Sequence, residues 1–468
     1  MKLIGDKQFY KSVLRIAVPI MIQNGVTNMI GLVNNITVGQ LGTEQLAGVA
    51  IANQLISIFY LCVFGAVSGA GIFGAQFFGK RDYNGVRDVF RLKVILMVAL
   101  SVLGMIILGV FGKPLISSFL HDASDGSDLA LTLKEGYDYL LIMLAGFIPY
   151  GLGQAYGSTL READQTVVPM RASIIALLLS LALNYVLIPF MGVAGAATAT
   201  VTSRFAELWL NAHWAKKHPE EVPFFVGVYK SFKVPATLSK QIIAKGTPLL
   251  INETLWSIGM TMVNQTYSYH GVAVVAAVNI ATTVANLVNV MFTSMGNSIG
   301  IIIGNLLGAG DMEKVRDANT KMIALSMMIA LGISGIMLIL GPIFPQLYQN
   351  TTEEVRELAK WIIWCEAAAA PLRAFVNASY FTLRSGGKTV LTFLFDSGFV
   401  WCGNVVVSYV LTHFTNMNIV PIYFWCRMIE FIKCVIGFVL VKKGTWMENI
   451  VGRQGMEHHE EEQQELPA

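Results

Sequence analysis

The sequence predicts an all-α polytopic membrane protein, with twelve transmembrane helices in two six-helix lobes related by a pseudo-two-fold axis along the membrane normal. Three observations carry this. AVILMFWYC make up 54% of the 468 residues and DEKR 13%, with mean hydropathy +0.58. Ordinary soluble chains are about 25% charged, so this one has too little charge to cover a soluble surface of its size. Apolar segments long enough to cross about 30 Å of hydrocarbon recur along the chain. The second half of the chain then repeats the first. Disorder, collagen and a disulfide scaffold are excluded by the same composition.

The segments fall near 13–40, 46–76, 93–112, 136–158, 170–189, 193–214, 242–269, 274–306, 321–341, 357–382, 390–411 and 419–441. Several exceed the bilayer minimum, which predicts tilt or kinks, and Pro19, Pro248 and Pro371 are candidate kink positions. The first segment follows a short basic start and is too long for the apolar region of a cleavable signal. Cys62, Cys365, Cys402, Cys426 and Cys434 lie inside apolar segments and read as small core residues, not disulfides or metal ligands. With the N-terminus placed in the cytoplasm, 25 of the 33 Lys and Arg fall on the inner side. The outer side holds Lys113, Lys134, Arg356 and Lys360. The positive-inside rule therefore puts both termini in the cytoplasm. Basic residues confined to short loops give no reason to expect a nucleic-acid partner.

Two ungapped self-matches define the repeat. In the first, Pro19 meets Pro248, Gly42 meets Gly271, Asp82 meets Asp311, and Val86-Arg87-Asp88 meets Val315-Arg316-Asp317. In the second, Leu160-Arg161 meets Leu383-Arg384, Arg204 meets Arg427, and Glu207 meets Glu430. Six spans per half is an even number, so both halves enter the membrane in the same direction. Two parallel lobes around a cleft suit an alternating-access carrier. The expected organisation is an N-lobe (1–214), a cytoplasmic inter-lobe linker (215–241), a C-lobe (242–441) and a tail (442–468) that reads as disordered.

Val38-Gly39-Gln40-Leu41-Gly42-Thr43-Glu44-Gln45-Leu46-Ala47 resembles the signature between the first two helices of multidrug and toxic compound extrusion (MATE) transporters. Gly79-Lys80-Arg81-Asp82 and Gly308-Ala309-Gly310-Asp311 resemble that family's paired loops after helices two and eight, and Lys245-Gly246-Thr247-Pro248 resembles the start of its helix seven. The resemblance runs from about residue 10 to 445. It implies export of organic, often cationic, compounds coupled to inward Na⁺ or H⁺. One position departs from it. Better-studied members carry an aspartate four residues before the Val-Gly of the signature; here the residue is Asn34, followed by Asn35. An amide cannot bind and release a proton, so no carboxylate switch carries over to that position.

Ionisable groups within spans are functional candidates. Glu253, Ser257, Thr261, Asn264 and Ser268 share one face of the seventh helix, and Asn279, Thr282, Asn286, Asn289, Thr293 and Asn297 one face of the eighth. A hard cation such as Na⁺ prefers such oxygen ligands, and a buried carboxylate can carry a proton instead. The resemblance supports a helix-seven carboxylate as a coupling residue. The expected cation-coupling set is therefore Glu253, Asn279, Thr282 and Asn286, completed by Glu366 and Asp396. Asn and Thr stripes also bind helices together without any ligand. Arg204/Glu207 and Arg427/Glu430 read as structural ion pairs. Pro19, Gln23, Asn34 and Asn35 suggest a kinked, partly polar first helix gating the cleft, with Tyr60, Trp256, Met260 and Met291 as an adaptable apolar wall.

No Walker A loop, HExxH or CxxC pair is present, so no enzymatic activity is expected. The leading expectation is a monomeric secondary antiporter of the bacterial cytoplasmic membrane, with no cofactor. Its partners are a small organic substrate, a coupling cation (Na⁺ or H⁺) and the bilayer. The alternative is a flippase for a lipid-linked glycan precursor, which calls for a basic lining. The intramembrane cations Arg204, Arg373, Arg427 and Lys433 are few, and Arg204 and Arg427 are each followed by an acid three residues on.

Overall fold

A computed structural model describes residues 4–120, 128–348 and 351–452; within these, the side chains of 32–36 lie outside the description. The described chain is all helix and turn, with no strand. It forms α1 (Lys7–Gly39), α2 (Thr43–Gly79), α3 (Tyr83–Phe119), α4 (Leu129–Leu144 and Phe147–Glu162), α5 (Val167–Met191) and α6 (Val193–Lys217). After two short 3-10 turns it continues as α7 (Ala236–Ser268), α8 (Val272–Ala309), α9 (Met312–Ile343), α10 (Glu353–Ser385), α11 (Thr389–Phe414) and α12 (Ile419–Met428 and Glu430–Lys443).

The helix starts follow from local chemistry. Asp82 accepts from Gly85 N at the head of α3, and its repeat counterpart Asp311 accepts from Lys314 N at the head of α9. Asp128 caps α4 and Thr352 caps α10 in the same way. α1, α7 and α10 run unbroken through Pro19, Pro248 and Pro371. The interruptions fall elsewhere. α4 bends by 48° at Ala145-Gly146, and Ser101 Oγ donates to the Phe147 carbonyl beside the bend. α11 contains two π-helical stretches, Leu394–Gly398 and Val400–Val405. α12 breaks at Ile429, and Asn404 Nδ2 donates to the Cys426 carbonyl nearby. At the bend of α4 and the break of α12 a side chain hydrogen-bonds a nearby backbone carbonyl, as suits irregular backbone in hydrocarbon.

Seven described helices are long and apolar enough to cross a membrane, or eight counting the bent α4 as one span. α6, α7, α10 and α12 fall outside that group. They are the helices that carry Arg204, Glu253, Glu366 and Arg427. α3 turns a band of exposed apolar residues outward, including Leu103, Ile106, Val110 and Phe111, and α12 does the same with Phe431, Ile432, Val435 and Phe438. Such bands belong in lipid.

The chain divides into two compact units, Val18–Leu250 and Met1–Ala17 with Ile251–Ala468. Within the first, glycines permit close crossings: a Cβ on Gly48 would lie 2.5 Å from the Thr132 carbonyl, and one on Gly65 would lie 2.8 Å from Leu250. The segment after α6 packs in this unit as well. Val222 and Phe224 are fully buried, Arg87 Nε donates to Phe224 O, and Arg91 Nε donates to Val228 O.

The second unit has a similar strap after α12, where the sequence suggests disorder from residue 442. Trp446 and Val451 are buried, Trp446 Nε1 donates to Val441 O, Asn449 donates to Gly308 O, and Lys388 pairs with Glu448. The charge-rich composition that points to disorder belongs to the residues beyond Gly452, which lie outside the described ones. Trp446 packs against Gly386, where any side chain would collide with its carbonyl. Trp446→Ala is therefore expected to destabilise the protein by about 3–5 kcal/mol, lowering its thermal midpoint in detergent; an unchanged midpoint would show that the strap is not part of the folded core.

Candidate functional site

The second unit gathers its ionisable side chains into two adjoining clusters. The first is built on Asn252, a fully buried residue one position before Glu253 on α7. Its Nδ2 donates to Asp396 Oδ2 at 3.0 Å and to Tyr380 Oη at 3.4 Å. Its Oδ1 accepts from Ser397 N at 3.2 Å, and Ser397 Oγ also lies 2.7 Å away. The amide orientation follows from these partners. Tyr380 in turn donates to Glu253 Oε1 at 3.3 Å. Lys433 Nζ, on α12, donates to Asp396 Oδ1 at 2.6 Å and lies over the Phe395 ring. The π-helical stretch matters here: a widened turn places Asp396 and Ser397 both within reach of one asparagine.

The second cluster centres on Glu366 of α10, which is 1% exposed. Arg373 Nη1 reaches its Oε2 at 2.7 Å, Arg427 Nη2 reaches its Oε1 at 2.7 Å, and Tyr423 also donates to it. Two guanidinium groups and a phenol occupy this carboxylate, which corrects the expectation that Glu366 completes a cation site. The expected Arg427/Glu430 pair is corrected too. The two residues flank the break at Ile429, and Arg427 turns to Glu366 and stacks over the Tyr423 ring at 4.9 Å. Glu430 Oε2 is buried without a hydrogen-bond partner.

In the first unit the Arg204/Glu207 pair is formed, at 3.2 Å. It belongs to a chain of bonds: Arg161 Nη1 donates to Gln23 Oε1 (2.9 Å), Gln23 Nε2 to Ser173 Oγ (3.2 Å), and Ser173 Oγ to Glu207 Oε1 (2.6 Å). Arg204 also stacks over Tyr150, which packs on Tyr60 at 4.4 Å. Gln23 and Pro19 are thus buried in packing contacts. A separate closed pair joins Lys93, fully buried, to both oxygens of Glu162 at 2.7 and 2.8 Å, with Ser158 and Thr159 as further partners of Lys93. A Cβ on Gly71 would lie 2.9 Å from Glu162 Oε1, so this glycine makes room for the carboxylate.

The remaining expected residues are scattered. Asn279 and Asn286 are exposed and Thr282 half-buried; Glu253 takes its hydrogen bond from α10, not from the polar face of α8. Trp256 and Met291 are exposed, Met260 and Tyr60 half-buried, and Met291 borders a small cavity with Met295, Ser326 and Ala378. The side chains of Asn34 and Asn35 lie outside the described residues. Among the described residues no three His, Cys, Asp or Glu side chains converge as a metal-ion site.

Asn252, Tyr380, Ser397 and Lys93 are functional or structural partners that sequence reasoning passes over. The repeat contains a signal for one of them, Asn252. Asn252 is the counterpart of Gln23, and Asp396 of Ser173, so the Gln23–Ser173 bond in one unit corresponds to the Asn252–Asp396 bond in the other. Breaking the doubly paired Glu366 strands two buried guanidinium groups, so Glu366→Gln is expected to cost about 3–5 kcal/mol. Glu430→Gln removes a carboxylate that holds no ion pair within the described residues and is expected to cost less. Chemical or thermal denaturation of the two variants checks the order, and the reverse order would reject the pairing described above.

Comparison with known proteins follows this geometry. The MatE family profile matches residues 19–186 and 248–410. The probable multidrug resistance protein YoeA of Bacillus subtilis is 23% identical over 432 residues, covering 88% of this chain and 89% of the relative. The probable multidrug resistance protein NorM of Thermotoga maritima is 22% identical over 453 residues, covering 94% of each. A crystal structure of MATE in the bent conformation superposes with a TM-score of 0.85 at 21% identity, covering 94% of this chain and 96% of that one. A MOP superfamily transporter from Pyrococcus furiosus gives 0.80 at 20% identity, with the same coverage. The structural likeness shows the fold, and the profile match over both repeats shows the lineage: the chain belongs to the MatE family of membrane transporters.

Proposed function

We propose that this protein is a secondary active exporter of organic cations, drugs or metabolites, driven by inward Na⁺ or H⁺ at Glu253. The observation that carries this reading is the unequal treatment of the buried and half-buried carboxylates. Glu162, Glu207, Glu366 and Asp396 each hold a basic side chain in direct contact. Glu253 has a phenol at 3.3 Å and no ion pair among the described residues, with Arg384 acting on it only from beyond contact; Glu430 also holds no ion pair, but it sits in the field of three basic side chains, Arg373, Arg427 and Lys433. A carboxylate held inside a membrane with no counter-ion in contact favours binding a proton or a monovalent cation, which removes the cost of the bare charge.

Coupling then requires only that cation and substrate differ in affinity for the outward- and inward-open states. Cation binding at Glu253 from outside neutralises the site and favours one state; substrate binding from inside favours the other. The names of the Bacillus subtilis and Thermotoga maritima relatives bring drugs into the substrate class. The pairing of Arg204, Arg373, Arg427 and Lys433 with carboxylates supports this reading over a flippase, because a pyrophosphate headgroup needs cations not already held. The charge bias of the loops supports cytoplasmic termini, and the bacterial relatives support a location in a bacterial inner membrane.

The test is ethidium transport in proteoliposomes under separately imposed Na⁺ and pH gradients. The expected result is uptake driven by one gradient in the wild type, reduced in Glu253→Gln to the level of empty liposomes. Absence of flux under both gradients, from protein that is monodisperse and folded, would overturn the reading in favour of a lipid-linked or anionic substrate.

A further inference from the structure

The contacts on Asp396 differ from those on Glu253 in one decisive respect. The two carboxylates belong to one hydrogen-bonded group: Asn252 donates to Asp396 and to Tyr380, and Tyr380 donates to Glu253. Yet Asp396 has an ammonium of this chain 2.6 Å from its Oδ1, while Glu253 has none. Lys433 is 5% exposed and comes from α12, with its Nζ over the rings of Phe395 and Phe399 at 5.2 and 5.9 Å. Aromatic faces on that side and the carboxylate on the other leave the ammonium a single good position. Na⁺ and an ammonium group compete for the same oxygen lone pairs, and a proton on Asp396 would abolish the pair.

We propose that Lys433 is a tethered cation that is never transported: it keeps Asp396 out of ion coupling and leaves Glu253 as the one carboxylate of this group open to a travelling cation. Lys433 is thus a specificity-determining residue for the number of cations carried per cycle. The inference rests on the reading of Glu253 given above and deepens it. Arg384 lies one turn beyond Tyr380 on α10, with its guanidinium over the Phe381 ring at 5.1 Å; every variant below retains it, so comparisons among them isolate Lys433.

The chemistry predicts a rescue. In Glu253→Gln the one open carboxylate of this hydrogen-bonded group is gone and coupled flux is lost. Adding Lys433→Met releases Asp396, three hydrogen bonds away, to take the cation instead. Coupled ethidium flux in proteoliposomes is therefore expected to be absent in E253Q and to return in E253Q/K433M, then to disappear again in E253Q/K433M/D396N. A Lys433 that only supports the fold cannot restore activity when removed.

The single variant K433M supplies a second readout. Its cation-to-ethidium ratio, from the gradient at which net flux vanishes, is expected to exceed the wild-type ratio by one cation and to return to it in K433M/D396N. An E253Q/K433M protein that is monodisperse yet as silent as E253Q overturns the proposal and leaves the role of Glu253 standing. So does a K433M ratio equal to the wild type when E253Q/K433M cannot be purified folded. Full coupled flux in E253Q overturns the role of Glu253 and the proposal together.

Discussion

Every charge and every backbone polar group inside hydrocarbon must find its partner within the protein. This constraint organises the rest of the molecule. Two guanidinium groups and a phenol surround Glu366. Lys93 makes contacts with a carboxylate and two hydroxyls. Replacing such groups with well-packed apolar residues can be neutral or stabilising, whereas removing one partner alone costs several kcal/mol. The pairs are therefore better read as fixing which helix faces meet than as sources of net stability. Glu366 specifies the register of α10 against α12, and Glu162 that of α4 against α3.

The same constraint explains where helices may break. α4 bends beside a carbonyl held by Ser101, α12 breaks beside one held by Asn404, and the π-helical part of α11 presents Ser397 N to Asn252. The three proline-containing helices named in the sequence continue unbroken, because a proline removes one bond from a ladder whose neighbours remain. A break next to a site costs little when the site's own side chains complete the backbone, and in α11 that arrangement brings Asn252, Asp396 and Ser397 together.

Duplication has produced two versions of one interaction. Gln23–Ser173 is neutral and leads on to the ion pair of Glu207 and Arg204. Asn252–Asp396 stands in the corresponding place but is charged, and it recruits Lys433. Asn24 of the first unit likewise corresponds to Glu253 of the second. The unit with carboxylates at these two places is the one in which a resident ammonium, that of Lys433, meets Asp396. The other closes its network within itself.

The sequence by itself determined the all-helical membrane class, the repeat and the family, and it singled out Glu253 and Asp396 as intramembrane carboxylates. Hydropathy, repeat spacing and the expense of intramembrane charge are local or periodic properties, readable from one chain. Only the tertiary structure decided which charges meet. Sequence proximity suggests Arg427 with Glu430, three residues apart; the break at Ile429 and the neighbouring helix give Arg427 to Glu366 instead, 61 positions earlier in the chain. The oxygen-rich face of α8 looks like a ligand track, but α10 and α11 supply the contacts of Asn252 and Glu253. Lys433 acquires its meaning from Asp396, which lies on another helix. An ion pair in hydrocarbon is selected by distance and desolvation in three dimensions, and neither quantity is written in the order of residues along the chain.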